Sequence, residues 1–447
     1  MWFLPLGGCR EIGMNLNLYG HAGQWLMIDC GLTFNAPLNP DNDYQEHVKR
    51  YPLVAPDPDF IEQRKDLLSG IIITHAHEDH LGAIPYLWQR FQKPIYTTRF
   101  TAEVLRRKLS EFEFGHQVKI IEVSPLEEHV IGPFSVQWLP ITHSLPEPCG
   151  VVIKTPAGKV FHTGDWKLDS QPVVGEGLNR DYFAQLGSQA IDAMVCDSTN
   201  ALKHGNSVSE SACESGLYHY VNLAPKRVVI SCFASNIARL ITIARVAQRT
   251  GRRMAVFGRS LVNMIGIARR TGYWPEDCVL IDRRHVGYLP EHEVLIVATG
   301  SQGEPRAAIS QLAKDAHRDM TLQANDTVIF STIIIPGNEQ PIKQLVNLLQ
   351  QRGVHVVQSH EALLPIHASG HPNEQELRSM YKWVKPSISV PVHGEPEHLS
   401  RHGVIAKESG VKSALVGQNG DLFQLSAPVM VKRNAVTTRR ISIQRPD

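Results

Sequence analysis

Residues 74–80 read THAHEDH, directly after the apolar run SGIII at 69–73. Three histidines and an aspartate fall within six consecutive positions, His75, His77, Asp79 and His80. In an extended segment, residues two apart point the same way, so His75 and His77 are expected to face one point in space. Asp79 and His80 follow where the chain leaves the strand for the helical stretch LGAIPYLWQRF, which aims them at a neighbouring point. Buried without a cation, so many imidazoles and carboxylates would carry a large desolvation and repulsion penalty, which a divalent ion converts into binding. The pattern therefore predicts one ion at His75 and His77 and a second beside it.

Three further segments end β-like runs on a metal-ligand residue: LPITHS supplies His143, FHTGDW supplies Asp165 and VPVHGE supplies His393. A catalytic centre needs ligands from several strand ends and an open position, and a paired site needs a bridging carboxylate. Asp165 is the candidate bridge.

Composition sets the frame. A chain of 447 residues exceeds what one hydrophobic core organises, so two or three domains are expected. With 43% hydrophobic and 20% charged residues it reads as globular, and no segment approaches the roughly 18 uncharged apolar residues of a membrane helix. The start, MWFLPLGGCREIG, lacks the pattern of a secretion signal, which leads to the expectation of a soluble, cytoplasmic protein with no membrane partner. Seven cysteines, far apart and without a CxxC pair, argue against a disulfide framework and a thiolate zinc site. A net charge of +1 gives no global attraction to polyanions. Basic clusters at Arg106, Arg107 and Lys108, at Arg252 and Arg253, and in a tail with Lys432, Arg433, Arg439, Arg440 and Arg445 are read first as solvated surface.

Short β-branched runs alternate with helical stretches along the chain, which is an α/β pattern. From about 225 to 335 they are spaced as βαβ units, so a Rossmann-like sheet is expected there. Its Gly turns at 258–260 and 299–304 are equally phosphate cradles or plain loop punctuation.

The order HxHxDH, His, Asp resembles the metallo-β-lactamase fold. VCDSTN (Asp197), HASGH (His371) and VPVHGE (His393) resemble the β-CASP nuclease branch, and GGCREIGMN, DCGLTF, THSLPE, CFASNIARL, VFGRSLVN, ATGSQGEPRAA and IPGNE resemble the ribonuclease J family in particular. The resemblance implies a four-layer αββα metallo-β-lactamase fold interrupted by a Rossmann-like β-CASP domain. The expected divisions are 1–205, 206–355 and 356–447, the last carrying the basic tail. It also implies two zinc ions, or manganese in their place. His75, His77 and His143 would hold one, Asp79, His80 and His393 the other, with Asp165 between them. Asp29 would support the histidine loop without binding metal.

The activity implied is hydrolysis of single-stranded RNA to 5′-phosphate products in RNA decay and maturation, 5′-to-3′ exonucleolytic with endonuclease cleavage as a further mode. His371, oriented by Asp197, would serve the departing oxygen. Within HASGH, His367, Ser369, Gly370 and His371 would surround a 5′-terminal monophosphate, with Ser235 and Asn236 of FASN added from the inserted domain. A homodimer is implied, weakened here because the family usually has a further C-terminal domain and this sequence stops soon after GQNGDLFQLS. The sequence departs from the family at Arg10, which is usually Gly, in the loop NAPLNPDNDYQEHVKRYPLV, and at KHGNSVSE, which replaces a Pro-Gly turn. Two other readings remain: a small-ester hydrolase of the same fold, which has no use for Asp197 and His371, and a non-catalytic RNA-binding subunit of a processing complex.

Overall fold

The computed structural model describes residues 1–39, 48–335 and 337–444. Residues 40–47 of the loop expected to depart from the family, together with Pro336 and Arg445, lie outside the described residues.

Two sheets form a sandwich. An eight-stranded sheet contains Trp2–Gly7, Leu16–His21, Gln24–Ile28 and Leu68–Ile72, and a seven-stranded sheet contains Phe134–Pro140, Cys149–Thr155, Gly158–His162, Ala193–Asp197 and Ile388–Val392. Side-chain alternation explains the layering, because successive residues of a strand point to opposite faces. Leu26, Ile28 and Ile72 point into the shared core with Trp138, Val151 and Ile153. Their neighbours Met27, Ile71 and Ile73 pack outward with Ile84, Leu87 and Val104 of the helices Ile84–Phe91 and Arg99–Leu109. On the other side, Val152 and Met194 meet Leu377, Met380 and Ile405 of the helices Glu374–Val384 and Pro396–Glu408. The result is the expected αββα order of layers.

A separate five-stranded sheet is wholly parallel, built from Val228–Ser231, Arg253–Phe257, Val294–Ala298, Thr327–Phe330 and His355–Gln358. Strand order reverses at Val228–Ser231, which is flanked by Val294–Ala298 and Thr327–Phe330. Ligands of open parallel sheets bind at such a point, beyond the carboxyl ends of the strands. The segment returning from this sheet contributes Ile388–Val392, which pairs in parallel with Ala193–Asp197. His393 thus reaches the sandwich from the far side of the insertion.

The seven cysteines are all buried and free. The basic clusters are largely committed within the fold. Arg106 pairs with Glu122 and Glu103, Arg107 with Glu111 and Lys108 with Glu78. Arg252 is buried and donates to the carbonyls of Lys226, Ala224 and Val294. In the tail, Arg433 pairs with Asp421, Arg439 with Asp57 and Arg440 with Glu11. No helix among the described residues is long and apolar enough to cross a membrane.

Candidate metal centre

The strand before the histidine loop ends at Ile72, sooner than the sequence suggests, and residues 75 and 76 form a bend. His75 and His77 therefore converge through a turn and not through strand alternation. The reason is Asp29, which is wholly buried beside them and accepts the Thr74 backbone N–H at 2.8 Å and the Thr74 hydroxyl at 2.9 Å. A short helix, Glu78–Leu81, then begins one turn earlier than expected and carries Asp79 and His80.

Three groups of candidate ligands result, one of them Asp165 with Asp197 and His371 and the other two built on the histidine loop. His75, His77, His143 and Asp165 place one donor atom each within 4.8 Å of one another, and so do Asp79, His80, Asp165 and His393. Asp165 belongs to both, where a bridging carboxylate has to be. His77 Nδ1 lies 3.1 Å from both His75 Nε2 and His143 Nε2. The Oδ2 atom of Asp165 lies 3.1 Å from His80 Nε2, 3.6 Å from His393 Nε2 and 3.8 Å from His75 Nε2.

The outward nitrogens show why these rings can receive cations. His80 donates from Nδ1 to Asp29 at 2.8 Å, His143 from Nδ1 to the Gly370 carbonyl at 2.6 Å, and His75 Nδ1 lies 3.0 Å from the Thr74 hydroxyl. His393 Nδ1 lies 3.1 Å from the Asn15 side-chain oxygen. In each of the four, a partner holds Nδ1 and leaves Nε2 facing the cluster, the orientation imposed on metal-ligating histidines. The donor set fits two divalent cations bound by nitrogen and carboxylate oxygen.

Electrostatics agree with a site built around positive charge. Burial, reinforced by neighbouring imidazoles, pushes His75 and His143 well below the usual histidine value and His77 down to about 4, so these rings stay neutral and able to ligate. Burial also pulls on His80, but Asp165, Asp79 and Asp29 outweigh it and hold this ring well above the usual value. Asp165 is held well below the carboxylate range: burial opposes ionisation, yet His393, His80 and His371 favour it more. Most of the cluster is sealed, whereas the Asp79 side chain is 29% exposed and that of His371 is 21% exposed. The cluster is open to solvent on that side.

His371 joins the centre from the returning segment. Its Nδ1 donates to Asp197 Oδ2 at 2.8 Å and lies 3.9 Å from Asp165 Oδ2, and its ring stands over those of His143 and His393. Burial works against its charge, but Asp197 and Asp165 raise its pKa to about 9.

The remaining predicted residues gather nearby in other roles. Ser369 accepts from Asn200 at 2.9 Å and from the His371 backbone N–H at 3.3 Å. Gly370 gives its carbonyl to His143, and a Cβ there would overlap the imidazole. Asn236 is buried and caps the helix Ile237–Arg249 by accepting the Arg239 N–H at 2.8 Å, and Ser235 is half-buried just before it. Both nitrogens of His367 are buried without a hydrogen-bond partner among the described residues. Burial and the nearby charges of Arg239 and Lys203 push this ring down to about 3.

Asn15, Thr74 and Arg239 were missed by sequence reasoning. Asn15 sits between His80 and His393, with its Nδ2 3.1 Å from the Asp79 carbonyl. Its signal was its place at the end of GGCREIGMN. Arg239 is wholly buried and pairs with Glu210 while donating to the Ser331 and Ile366 carbonyls.

Fold and site together define a metallo-β-lactamase-fold hydrolase with a β-CASP insertion. Family profiles agree: "Metallo-beta-lactamase superfamily" matches residues 15–185, "Ribonuclease J, beta-CASP domain" matches 225–349, and "Zn-dependent metallo-hydrolase RNA specificity domain" matches 363–416. The ribonuclease J of Sinorhizobium meliloti is 41% identical over 428 residues, covering 95% of this chain and 74% of the relative. That of Mycolicibacterium smegmatis is 36% identical over 442 residues, 98% and 77% of the two chains. That of Thermus thermophilus is 34% identical over 438 residues, 96% and 74%. The chain belongs to the ribonuclease J family. A crystal structure of a protein of unknown function from Enterococcus faecalis V583 has the same fold, with a TM-score of 0.64 at 15% identity, covering 96% of this chain and 99% of that one.

Proposed function

We propose that this chain is a two-metal ribonuclease that hydrolyses single-stranded RNA to 5′-phosphate products, working 5′-to-3′ from a monophosphorylated end and capable of internal cleavage. The observation that carries this reading is Asp165, shared by two convergent ligand groups and close to the His371–Asp197 pair. When bound, two divalent cations, zinc or manganese, neutralise the scissile phosphate and lower the pKa of the attacking water. His75, His77 and His143 hold one, and Asp79, His80 and His393 the other.

This chain's own groups do the rest. Asp197 keeps the Nδ1 proton on His371, so the charged ring can give its other proton to the departing 3′ oxygen. Asp29 and Asn15 orient ligand rings. His367, with Ser369, the Gly370 backbone and Ser235 and Asn236, forms the pocket for the terminal phosphate. The unpartnered nitrogens of His367 support this, as does its proximity to Arg239 and Lys203 and to the carboxyl end of the parallel sheet. A base-tolerant single strand suits a path between the two units. The insertion spans 206–355, flanked by 1–205 and 356–447, with action in the cytoplasm as a homodimer.

The test compares 5′-monophosphorylated and 5′-hydroxyl RNA labelled internally. Faster release of mononucleotides from the monophosphorylated strand supports the reading. Equal rates would show that the pocket does not read the end, and products only from internal cuts would replace exonuclease by endonuclease action. Asp197 and His371 weigh against an ester hydrolase, and the complete ligand set weighs against a non-catalytic subunit.

A further inference from the structure

The carboxylate of Asp197 is held from both sides. Its Oδ2 accepts from His371, while Oδ1 accepts the Thr199 backbone N–H at 2.8 Å and the Thr199 hydroxyl at 2.7 Å. The same hydroxyl lies 3.1 Å from the backbone carbonyl of His393. It carries a single hydrogen, and the shorter contact to an ionised acceptor takes most of it.

His393 itself sits in a left-handed conformation, φ 53°, which a non-glycine residue adopts only when its surroundings impose it. Three contacts impose it here: its N–H donates to the Gly8 carbonyl at 2.6 Å, its ring meets Asn15, and its carbonyl faces Thr199. Thr199 therefore touches both the carboxylate that orients His371 and the backbone of a ligand histidine.

We propose that Thr199 is a positioning residue whose hydroxyl, by donating to Oδ1, fixes the rotamer of Asp197 and with it the place of His371 beside the ligand histidines. Without the hydroxyl, the Thr199 N–H still binds Oδ1, so the strand end keeps its fold. The carboxylate then gains freedom to rotate, and His371 loses a fixed place relative to the metal ligands. The proposal rests on the assignment of His371 as the proton donor.

The test is a double-mutant cycle on the metal-loaded full chain, read as single-turnover RNA cleavage, with KM and bound metal measured alongside. Thr199→Val should slow the chemical step about tenfold, the scale of one lost hydrogen bond to a charged group, with KM and metal content unchanged. Thr199→Ser should restore most of the rate. In a His371→Ala background, Thr199→Val should have no further effect, because the group it positions is gone. A wild-type rate for Thr199→Val, loss of metal in it, or the same tenfold loss in the His371→Ala background would each overturn the proposal. A wild-type rate for His371→Ala would instead remove the donor assignment, and this proposal with it. If Thr199→Val shows no cooperative thermal transition, Thr199→Ala carries the same cycle.

Discussion

Asp165 is the residue on which both ligand groups converge, so its removal should affect both at once. If two ions bind as proposed, Asp165→Asn abolishes cleavage and lowers bound metal at both groups. His77→Ala removes a candidate ligand from one group only and on the same reading also abolishes cleavage, because both ions would act on one phosphate. Full activity with undiminished metal in either variant would contradict the ligand assignment. His371→Ala behaves differently: a slower chemical step by about 10²–10⁴-fold, as for a lost acid–base group, with metal content near normal. Elemental analysis beside single-turnover kinetics separates the two patterns. The histidines and aspartates that the fold brings together were legible in the sequence, because HxHxDH and the strand-end residues keep their spacing. Their supports were not. Asn15 and Thr74 act through contacts with Asp79, His80 and Asp29 that fold long stretches of chain together, and the Gly370 carbonyl offers no side chain to read.

At the scale of elements, one guanidinium holds both crossings between sandwich and insertion. Arg239, on the helix Ile237–Arg249, pairs with Glu210 on the outgoing segment and donates to Ile366 on the returning one, immediately before His367. Arg239→Leu would leave the Glu210 carboxylate buried and unpaired, which costs about 3–5 kcal/mol. Thermal unfolding checks this, and a loss below about 1 kcal/mol would show that the pair is not needed. The β-branched runs of the inserted sheet were legible in the sequence, because its central strands, buried on both faces, are continuous apolar stretches. The histidine loop was less legible, since a bend imposed by Asp29 replaces strand alternation. The segment KHGNSVSE, which replaces the family's Pro-Gly turn, is held by side chains: Ser207 donates to Glu376 and Ser209 to Asp169.

Across the whole molecule, the four-layer order and the inserted parallel sheet were legible from run spacing and resemblance, whereas the neutralisation of Lys108, Arg439 and Arg440 by Glu78, Asp57 and Glu11 was not, because those pairs join distant segments. Buried neutral histidines make the molecule acid-sensitive in a definite direction. His402, between Ser198 and Tyr381, is pushed by burial down to about 4 despite the opposing charge of Asp197. The unfolded chain binds this proton near the usual value of about 6.5, so stability is lost as pH falls below that value. Between pH 7.5 and 5.5 His402 should account for about 1 kcal/mol, read as a smaller acid shift of the urea midpoint in His402→Gln. Parallel curves for the two proteins would contradict it.

The most direct test of a two-metal ribonuclease is reconstitution. The protein is stripped with a chelator, reloaded stepwise with zinc or manganese, and scored at each step for bound metal and for cleavage of a 5′-monophosphorylated single-stranded RNA. The structure predicts no cleavage without metal, two ions per chain at saturation, and activity that follows the second ion. Cleavage that survives complete stripping, or reaches its maximum with one ion per chain, would contradict it.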